Sequence, residues 1–215
     1  QGIFIAPAVV NGIVYTISDD DYIYDLNATN GSLIWSRNFF HQGTAASSPA
    51  VANDIVYFGI IWAFSTYHIV ALNATNGSTI WGYSFGVITM SSPAVAGGVV
   101  YVGAHNYKVY ALNATNGSWI WNYTTGGAVS SSPAVANNVV YVGSNDNKIY
   151  ALNATTGSLI WSYTTGGIVA SPAVAGGIVY VGSGDNNVYA FYTDTILPYI
   201  AFGAGTENNN TAFNR

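Results

Sequence analysis

The chain has 215 residues; half are apolar, 15% are aromatic, only 6% are Asp, Glu, Lys or Arg, and the net charge is -5. Soluble domains average roughly 25% charged residues, and four basic side chains (Arg37, Lys108, Lys148, Arg215) are too few to neutralise a phosphate backbone or to hold a basic helix on a membrane surface. Cysteine is absent, which excludes a disulfide scaffold, a thiolate zinc site and a thiol nucleophile; Gly, Asn, Asp and Ser break every apolar run well short of the roughly 18 to 20 residues of a spanning helix, and the wealth of aromatic and β-branched residues argues against disorder.

In chain order, Gln1 opens the sequence without an initiator methionine or signal peptide, and reads as a processed or excerpted start. Ala6-Pro7-Ala8-Val9-Val10 is the first copy of a motif that recurs as Ser-Pro-Ala-Val-Ala from Ser48, Ser92, Ser132 and Ser171. Each copy runs into a two-residue turn: Asn11-Gly12, Asn53-Asp54, Gly97-Gly98, Asn137-Asn138 and Gly176-Gly177. A type I′ hairpin turn needs positive φ at both central positions, which these residues supply most cheaply. A Val-Tyr strand follows, with its tyrosine at Tyr15, Tyr57, Tyr101, Tyr141 and Tyr180, spaced by 42, 44, 40 and 39 residues. Next comes Ala-Leu-Asn-Ala-Thr around Leu72, Leu112 and Leu152, and around Leu26 with Asp25 in the first place. Gly-x-x-x-Trp closes four copies, at Gly31/Trp35, Gly77/Trp81, Gly117/Trp121 and Gly157/Trp161. The fifth copy changes after its third strand, Val188–Phe191: Tyr192-Thr193-Asp194-Thr195 replaces the Asn turn and no Gly-x-x-x-Trp follows. Ile196–Phe202 can still serve as a fourth strand, with Pro198 on the outer edge where no ladder donor is needed. Residues 204–215 read as a tail or linker.

Each copy therefore predicts four short strands; in the fourth they are Ser132–Ala136, Val139–Gly143, Lys148–Asn153 and Ser158–Thr164. A unit of about 40 residues with four antiparallel strands is a propeller blade, whose two apolar faces are buried only by neighbouring blades. The expected fold is an all-β propeller over residues 1–203, with blades at about 1–43, 44–88, 89–127, 128–167 and 168–203. The docking residues between blades are Trp35, Trp81, Trp121 and Trp161; ~200 Å² of buried ring at ~25 cal/mol/Å² sets an upper bound of about 5 kcal/mol each. A compact ring of five blades is favoured over an arc completed by another chain or by further sequence.

Ala151–Trp161 (Ala-Leu-Asn-Ala-Thr-Thr-Gly-Ser-Leu-Ile-Trp) resembles the repeat of the PQQ-like, or BamB-like, β-propellers, and the resemblance runs from residue 1 to about 192. It implies a propeller, in a family that commonly uses seven or eight blades. It also brings in quinone-dependent dehydrogenases with a calcium site and an acidic base, but no residues here match those roles. The family usually has Asp at the position of Asn153 and often Lys at that of Ser158; this chain has Asn and Ser in every complete copy.

Chemistry is otherwise sparse. His41, His68 and His105 lack ligand spacing and do not recur between copies, so they read as ordinary loop or strand residues. Asp19-Asp20-Asp21, Asn145-Asp146-Asn147 and Asp185-Asn186 lie in strand 2–3 loops without the Asp-x-Asp-x-Asp-Gly pattern of a calcium loop, and read as turns with solvated carboxylates. Asp25, Asp54, Asp194 and Glu207 suggest no acid pair. No catalytic residue, metal ligand or cofactor site is expected, and the chain reads as a non-enzyme.

Two features point to function. Asn-x-Ser/Thr occurs at Asn27, Asn30, Asn73, Asn76, Asn113, Asn116, Asn122, Asn153 and Asn209, mostly in the strand 3–4 turns. These positions read as N-glycan acceptors, which would place the protein outside the cell or on its surface; the bland reading is that Asn is simply a good turn residue. In an up-and-down blade the 1–2 and 3–4 turns share one face of the disc, so sugars would coat that face. On the opposite face the second copy is four residues longer around Ile60, Ile61, Trp62 and Phe64, next to Phe39 and Phe40. This aromatic cluster either forms a partner contact or folds in to plug the central channel. The expected function is a glycosylated structural or assembly unit of a cell surface (layer, filament or adhesin), self-assembling or bound to other surface proteins. A carbohydrate- or peptide-binding module is the alternative, and a PQQ-type quinoprotein a more distant one.

Overall fold

The computed structural model describes residues 5–18, 20, 22–38, 44–45, 47–61, 68–87, 89–193 and 198–203, with the backbone alone at 44–45, 61 and 198–203. These residues form five antiparallel sheets in which strands adjacent in sequence pair. Blade 1 holds Ala8–Val10, Ile13–Ile17, Tyr22–Asn27 and Leu33–Asn38. Blade 2 holds Ala50–Ala52, Ile55–Ile61, Ile69–Asn73 and Thr79–Tyr83, and Thr44–Ala45 adds a short strand against Ile60 and Ile61. Blade 3 holds Ala94–Ala96, Val99–Ala104, Lys108–Asn113 and Trp119–Thr124. Blade 4 holds Ala134–Ala136, Val139–Gly143, Lys148–Asn153 and Leu159–Thr164, and blade 5 holds Ala173–Ala175, Ile178–Gly182, Asn187–Tyr192 and Pro198–Gly203.

Local chemistry sets these limits. The first strand is three residues long because a proline precedes it and a tight turn ends it. All five turns have positive φ at both central residues, including the non-glycines Asn53 (50°), Asp54 (56°), Asn137 (49°) and Asn138 (60°). In the 3–4 turn the Asn113 side-chain oxygen accepts the backbone N–H groups of Thr115 (2.9 Å) and Asn116 (3.2 Å), and Asn27, Asn73 and Asn153 repeat the arrangement. A bulge follows: Ala111 faces Trp121 while Leu112 faces Trp119, so Ile120 is the extra residue of the outer strand.

The core is four seams, one between each pair of consecutive blades. A blade's trailing face, carrying its Val-Tyr tyrosine and its tryptophan, packs on the leading face of the next. Tyr101, Val109, Ala111 and Trp121 of blade 3 thus meet Val140, Val142, Tyr150 and Leu152 of blade 4. The uncharged composition is explained here, since both faces of an internal blade are buried and a charge there would be desolvated without a partner.

The five blades form an arc, which corrects the expected closed ring. The first strands of consecutive blades touch one another from blade 1 to blade 5, but no comparable contact joins blade 5 to blade 1 among the described residues. Blade 5 presents Tyr180 at 40% and Val188 at 43% exposure, whereas Tyr141 and Ile149, their counterparts in blade 4, are fully buried. A closed ring would cover Tyr180 and Val188 with the leading face of blade 1, and both stay exposed.

Candidate functional site

The recurring built feature is the seam. The Trp121 indole donates from Nε1 to the Ala154 carbonyl of the next blade (2.9 Å), as Trp81 does to Ala114 (2.8 Å) and Trp35 to Ala74 (2.8 Å). The same carbonyls accept the Tyr101 hydroxyl at Ala154 and the Tyr57 hydroxyl at Ala114, each at 3.1 Å. Glycine is required opposite each ring. A Cβ on Gly157 would stand 2.6 Å from the Trp121 ring, on Gly117 2.6 Å from Trp81, and on Gly77 2.7 Å from Trp35; all three also have positive φ. Trp161 rests on Phe191 of the next blade, at 5.2 Å between ring centroids.

Two further ties cross the seams. Serine hydroxyls link the inner strands in series: the N–H of Ser48 donates to Ser92 Oγ (3.0 Å), that of Ser92 to Ser132 Oγ (3.0 Å), and that of Ser132 to Ser171 Oγ (2.9 Å). Ala6, which lacks a hydroxyl, heads the series by donating its N–H to Ser48 Oγ (3.1 Å). On the loop face Asp146 accepts the Gly126 N–H (2.8 Å) and the Tyr150 hydroxyl, clipping the connection from blade 3 onto blade 4. Asp185 does the same with Gly166 (2.7 Å) and Tyr189 (2.6 Å), and its Tyr189 bond leads the effects that hold its carboxyl down to about 2. These loop carboxylates are therefore not free solvated groups, as the sequence suggested, but structural acceptors. The signal for them is an Asp four residues before a strand tyrosine, at Asp20/Tyr24, Asp146/Tyr150 and Asp185/Tyr189.

Asp25 departs from the pattern. It sits where Ala71, Ala111 and Ala151 sit, paired across the sheet with Tyr15 and Trp35. It is fully buried, and neither carboxyl oxygen has a hydrogen-bond partner. Burial pushes its carboxyl up to about 6, against a weaker opposing pull from the Trp35 indole.

The remaining sequence candidates separate as follows. His68 Nδ1 accepts the Phe85 N–H (3.2 Å) and lies 3.0 Å from Ser84 Oγ, and burial lowers its pKa. His105 meets Ser130 at 3.0 Å, and His41 lies outside the described residues. No three His, Asp or Glu side chains come together for a metal among the described residues. With Asp146 and Asp185 already used as clips and Asp25 enclosed in a seam, the described residues do not fit the calcium ion and acidic base of a quinone site.

Among the asparagine acceptors, Asn30, Asn76 and Asn116 are exposed, whereas Asn27, Asn73, Asn113, Asn122 and Asn153 are half-buried; Asn209 lies outside the described residues. Of the expected contact cluster, Phe39, Phe40, Trp62 and Phe64 lie outside the described residues, and Ile61 is described only as backbone paired with Thr44. Ile60 is a correction: it is fully buried beside Phe58 and Val70 at the seam between blades 1 and 2, because the alternation of its strand turns it inward.

Three further surfaces stand out. Leu33/Ile34, Ile80, Trp119/Ile120 and Leu159/Ile160 form an exposed apolar band on the rim, where the outer strands begin. The repeat shows the residues, but only the bulge register shows that they face outward. A groove of about 480 Å³ lies on the turn face between blades 3 and 4, lined by Gly97, Tyr101, Ile120, Asn137 and Thr155 among others. The third is the pair of end faces, open on blades 1 and 5.

Comparison with known proteins places this geometry. The family described as outer membrane protein assembly factor BamB matches residues 1–130 and 126–195. No curated protein matches the sequence. BamB from Moraxella catarrhalis superimposes with a TM-score of 0.77 at 19% identity, over 92% of this chain and 60% of that one. The computationally designed Ika8 protein gives 0.79 at 17% identity, over 95% and 63%. Quinohemoprotein alcohol dehydrogenase ADHIIG from Pseudomonas putida HK5 gives 0.77 at 20% identity, over 94% and 42%. At these identities the likeness is one of fold, and the chain spans less than two thirds of each of these structures.

Proposed function

The chain belongs to the BamB-like family of PQQ-repeat propellers, and from that premise we propose that it is a non-enzymatic protein-interaction and assembly unit, displayed outside the cell and carrying N-linked glycans on its turn face. The observation that carries the reading is the exposed apolar band of Leu33/Ile34, Ile80, Trp119/Ile120 and Leu159/Ile160 on the rim. Such apolar surface marks a contact site in a soluble protein. The exposure of Asn30, Asn76 and Asn116 supports the glycan part of the reading, and the three stand three residues before the outer-strand positions Leu33, Thr79 and Trp119. Bulky hydrated sugars there would help to solubilise a body with very few charges. Among the described residues no helix is long and apolar enough to cross a membrane.

The test is intact mass and surface labelling of protein expressed in its own host. The expected result is a mass above 22.6 kDa that falls when Asn30, Asn76 and Asn116 are changed to Gln, together with labelling of intact cells by an impermeant reagent. An unmodified mass and no labelling would overturn the reading. The groove between blades 3 and 4 favours a second reading, a peptide- or carbohydrate-binding module. Binding on a glycan or peptide array that is lost on Ile120→Asp would select it.

A further inference from the structure

The groove between the two-residue turns of blades 3 and 4 has a counterpart between those of blades 1 and 2, and the two are furnished differently. The first holds about 480 Å³ and the second about 340 Å³. Gly97 stands in the first where Asn11 stands in the second, and a Cβ on Gly97 would meet nothing within 4 Å, so that wall is open space. Asn137 and Asn138 stand where blade 2 has Asn53 and Asp54, so the wider groove is lined without a charge. The third difference is Trp119. It pairs with Leu112 as Leu33, Thr79 and Leu159 pair with their own strand leucines, and it precedes Ile120, which lines the groove. Trp119 is 54% exposed. From these differences we infer that the groove between blades 3 and 4, with Trp119 beside it, binds a short uncharged oligosaccharide. The inference rests on the second reading above and commits the groove to one ligand class.

The polar groups on offer are side-chain amides and a hydroxyl. Asn138 Oδ1 accepts from Thr155 Oγ1 at 3.2 Å, which orients the amide and leaves its NH2 group without a partner among the described residues. Asn137 is exposed next to it. An amide sets a donor beside an acceptor, which is the pairing that neighbouring sugar hydroxyls match. Tyr101, buried at the base, commits its hydroxyl to the Ala154 carbonyl at 3.1 Å, so its ring and Ile120 offer apolar surface to the C–H face of a sugar. An exposed indole adds a flat apolar platform on which a pyranose ring stacks. No Lys or Arg among the lining residues holds an anion, and no Asp or Glu holds a cation. An extended peptide is the poorer fit, because it is held through backbone hydrogen bonds along a free strand edge. The turn backbones here are already paired: the Asn138 and Gly98 carbonyls accept from Ala154 and Ala114, each at 2.9 Å. The volume lies within the roughly 300 to 1,000 Å³ of small-ligand sites.

A glycan array and a peptide array probed with the purified full chain, followed by calorimetry on the best-bound neutral oligosaccharide, test this. Each variant takes a residue that another blade already carries at the same position, so the fold is kept, which matching melting curves will verify. Gly97→Asn narrows the groove and copies Asn11, Asn53 and Asn137, whose φ values of 51°, 50° and 49° lie close to the 57° of Gly97. Asn138→Asp copies Asp54 and adds a charge, and Trp119→Leu copies Leu33 and Leu159 and removes the indole. The parent is expected to bind a neutral oligosaccharide, and each variant to weaken that binding roughly tenfold. Leu33→Thr, which copies Thr79 on a distant blade, is expected to leave it unchanged. No saccharide bound, a charged saccharide preferred, or saccharide binding that the groove variants leave intact would each overturn the inference. Peptide binding lost with the same variants would overturn it too, while keeping the groove of the second reading. A chain that binds no saccharide yet is glycosylated and displayed on cells would leave the assembly reading standing.

Discussion

The seam between blades 1 and 2 and the seam between blades 3 and 4 share a framework and differ at several buried positions, of which Asp25 is the ionisable carboxyl. Both have an indole bonded to the next blade's alanine carbonyl, at 2.8 Å from Trp35 and 2.9 Å from Trp121. Both set the Val-Tyr tyrosine against that indole, at 6.4 Å for Tyr15/Trp35 and 5.8 Å for Tyr101/Trp121. Beneath these groups one seam holds Ala111 and the other holds Asp25 with both oxygens unpartnered. Sequence repetition fixes the framework of a seam, while a buried carboxyl makes one seam respond to pH.

The largest expected effect comes from removing the indole of the tighter seam. Trp121→Ala should destabilise by about 3 to 5 kcal/mol in urea unfolding, through lost burial and the cavity left behind. Trp35→Ala should cost less, since Trp35 is only half-buried while Trp121 is 5% exposed. Equal losses would erase the distinction between the two seams.

Asp25→Ala gives the first seam the alanine of the second. It should stabilise at pH 7 by up to about 3 kcal/mol, the equivalent of the rise of its carboxyl from 3.8 to about 6. The sign follows from linkage: folding favours the protonated form, so the wild-type contribution is fully present below about pH 4. It is lost as pH rises through about 6 and is constant above that. The advantage of Asp25→Ala should therefore shrink in acid, and chemical unfolding at pH 4 and pH 7 reads it directly.

Asp146→Ala removes the clip between blades 3 and 4, and should cost about 1 to 3 kcal/mol because it strands the Gly126 N–H and the Tyr150 hydroxyl. Asp20→Ala should cost less, since the partners of Asp20, Tyr22 and Tyr24 among them, belong to its own blade. Ser132→Ala, which removes the acceptor for the Ser92 N–H (3.0 Å), should cost about 1 kcal/mol. Thermal melts resolve both.

Much of the fold was legible because its determinants are local. Expected and observed limits for the second and third strands of blade 4 coincide at Val139–Gly143 and Lys148–Asn153, since a two-residue turn and a period-2 pattern fix them. The candidate site was less legible. Ile60 reads as part of an aromatic loop, yet strand alternation buries it, and Asp146 reads as a solvated turn residue, yet it accepts a bond from a residue 20 positions away. Asp25 was visible as a departure from Ala, but its lack of a partner depends on what the next blade places beside it.

The sequence by itself determined the blade: its strands, its turns and the indole with its glycine seat, because each depends on φ preferences and spacings within about 40 residues. Only the tertiary structure decided how the blades add up. Closure depends on the small rotation at each seam, set by packing between side chains some 40 residues apart. In the structure Tyr180 and Val188 of blade 5 stay exposed where Tyr141 and Ile149 of blade 4 are buried, a property of the stacked blades that no single repeat encodes.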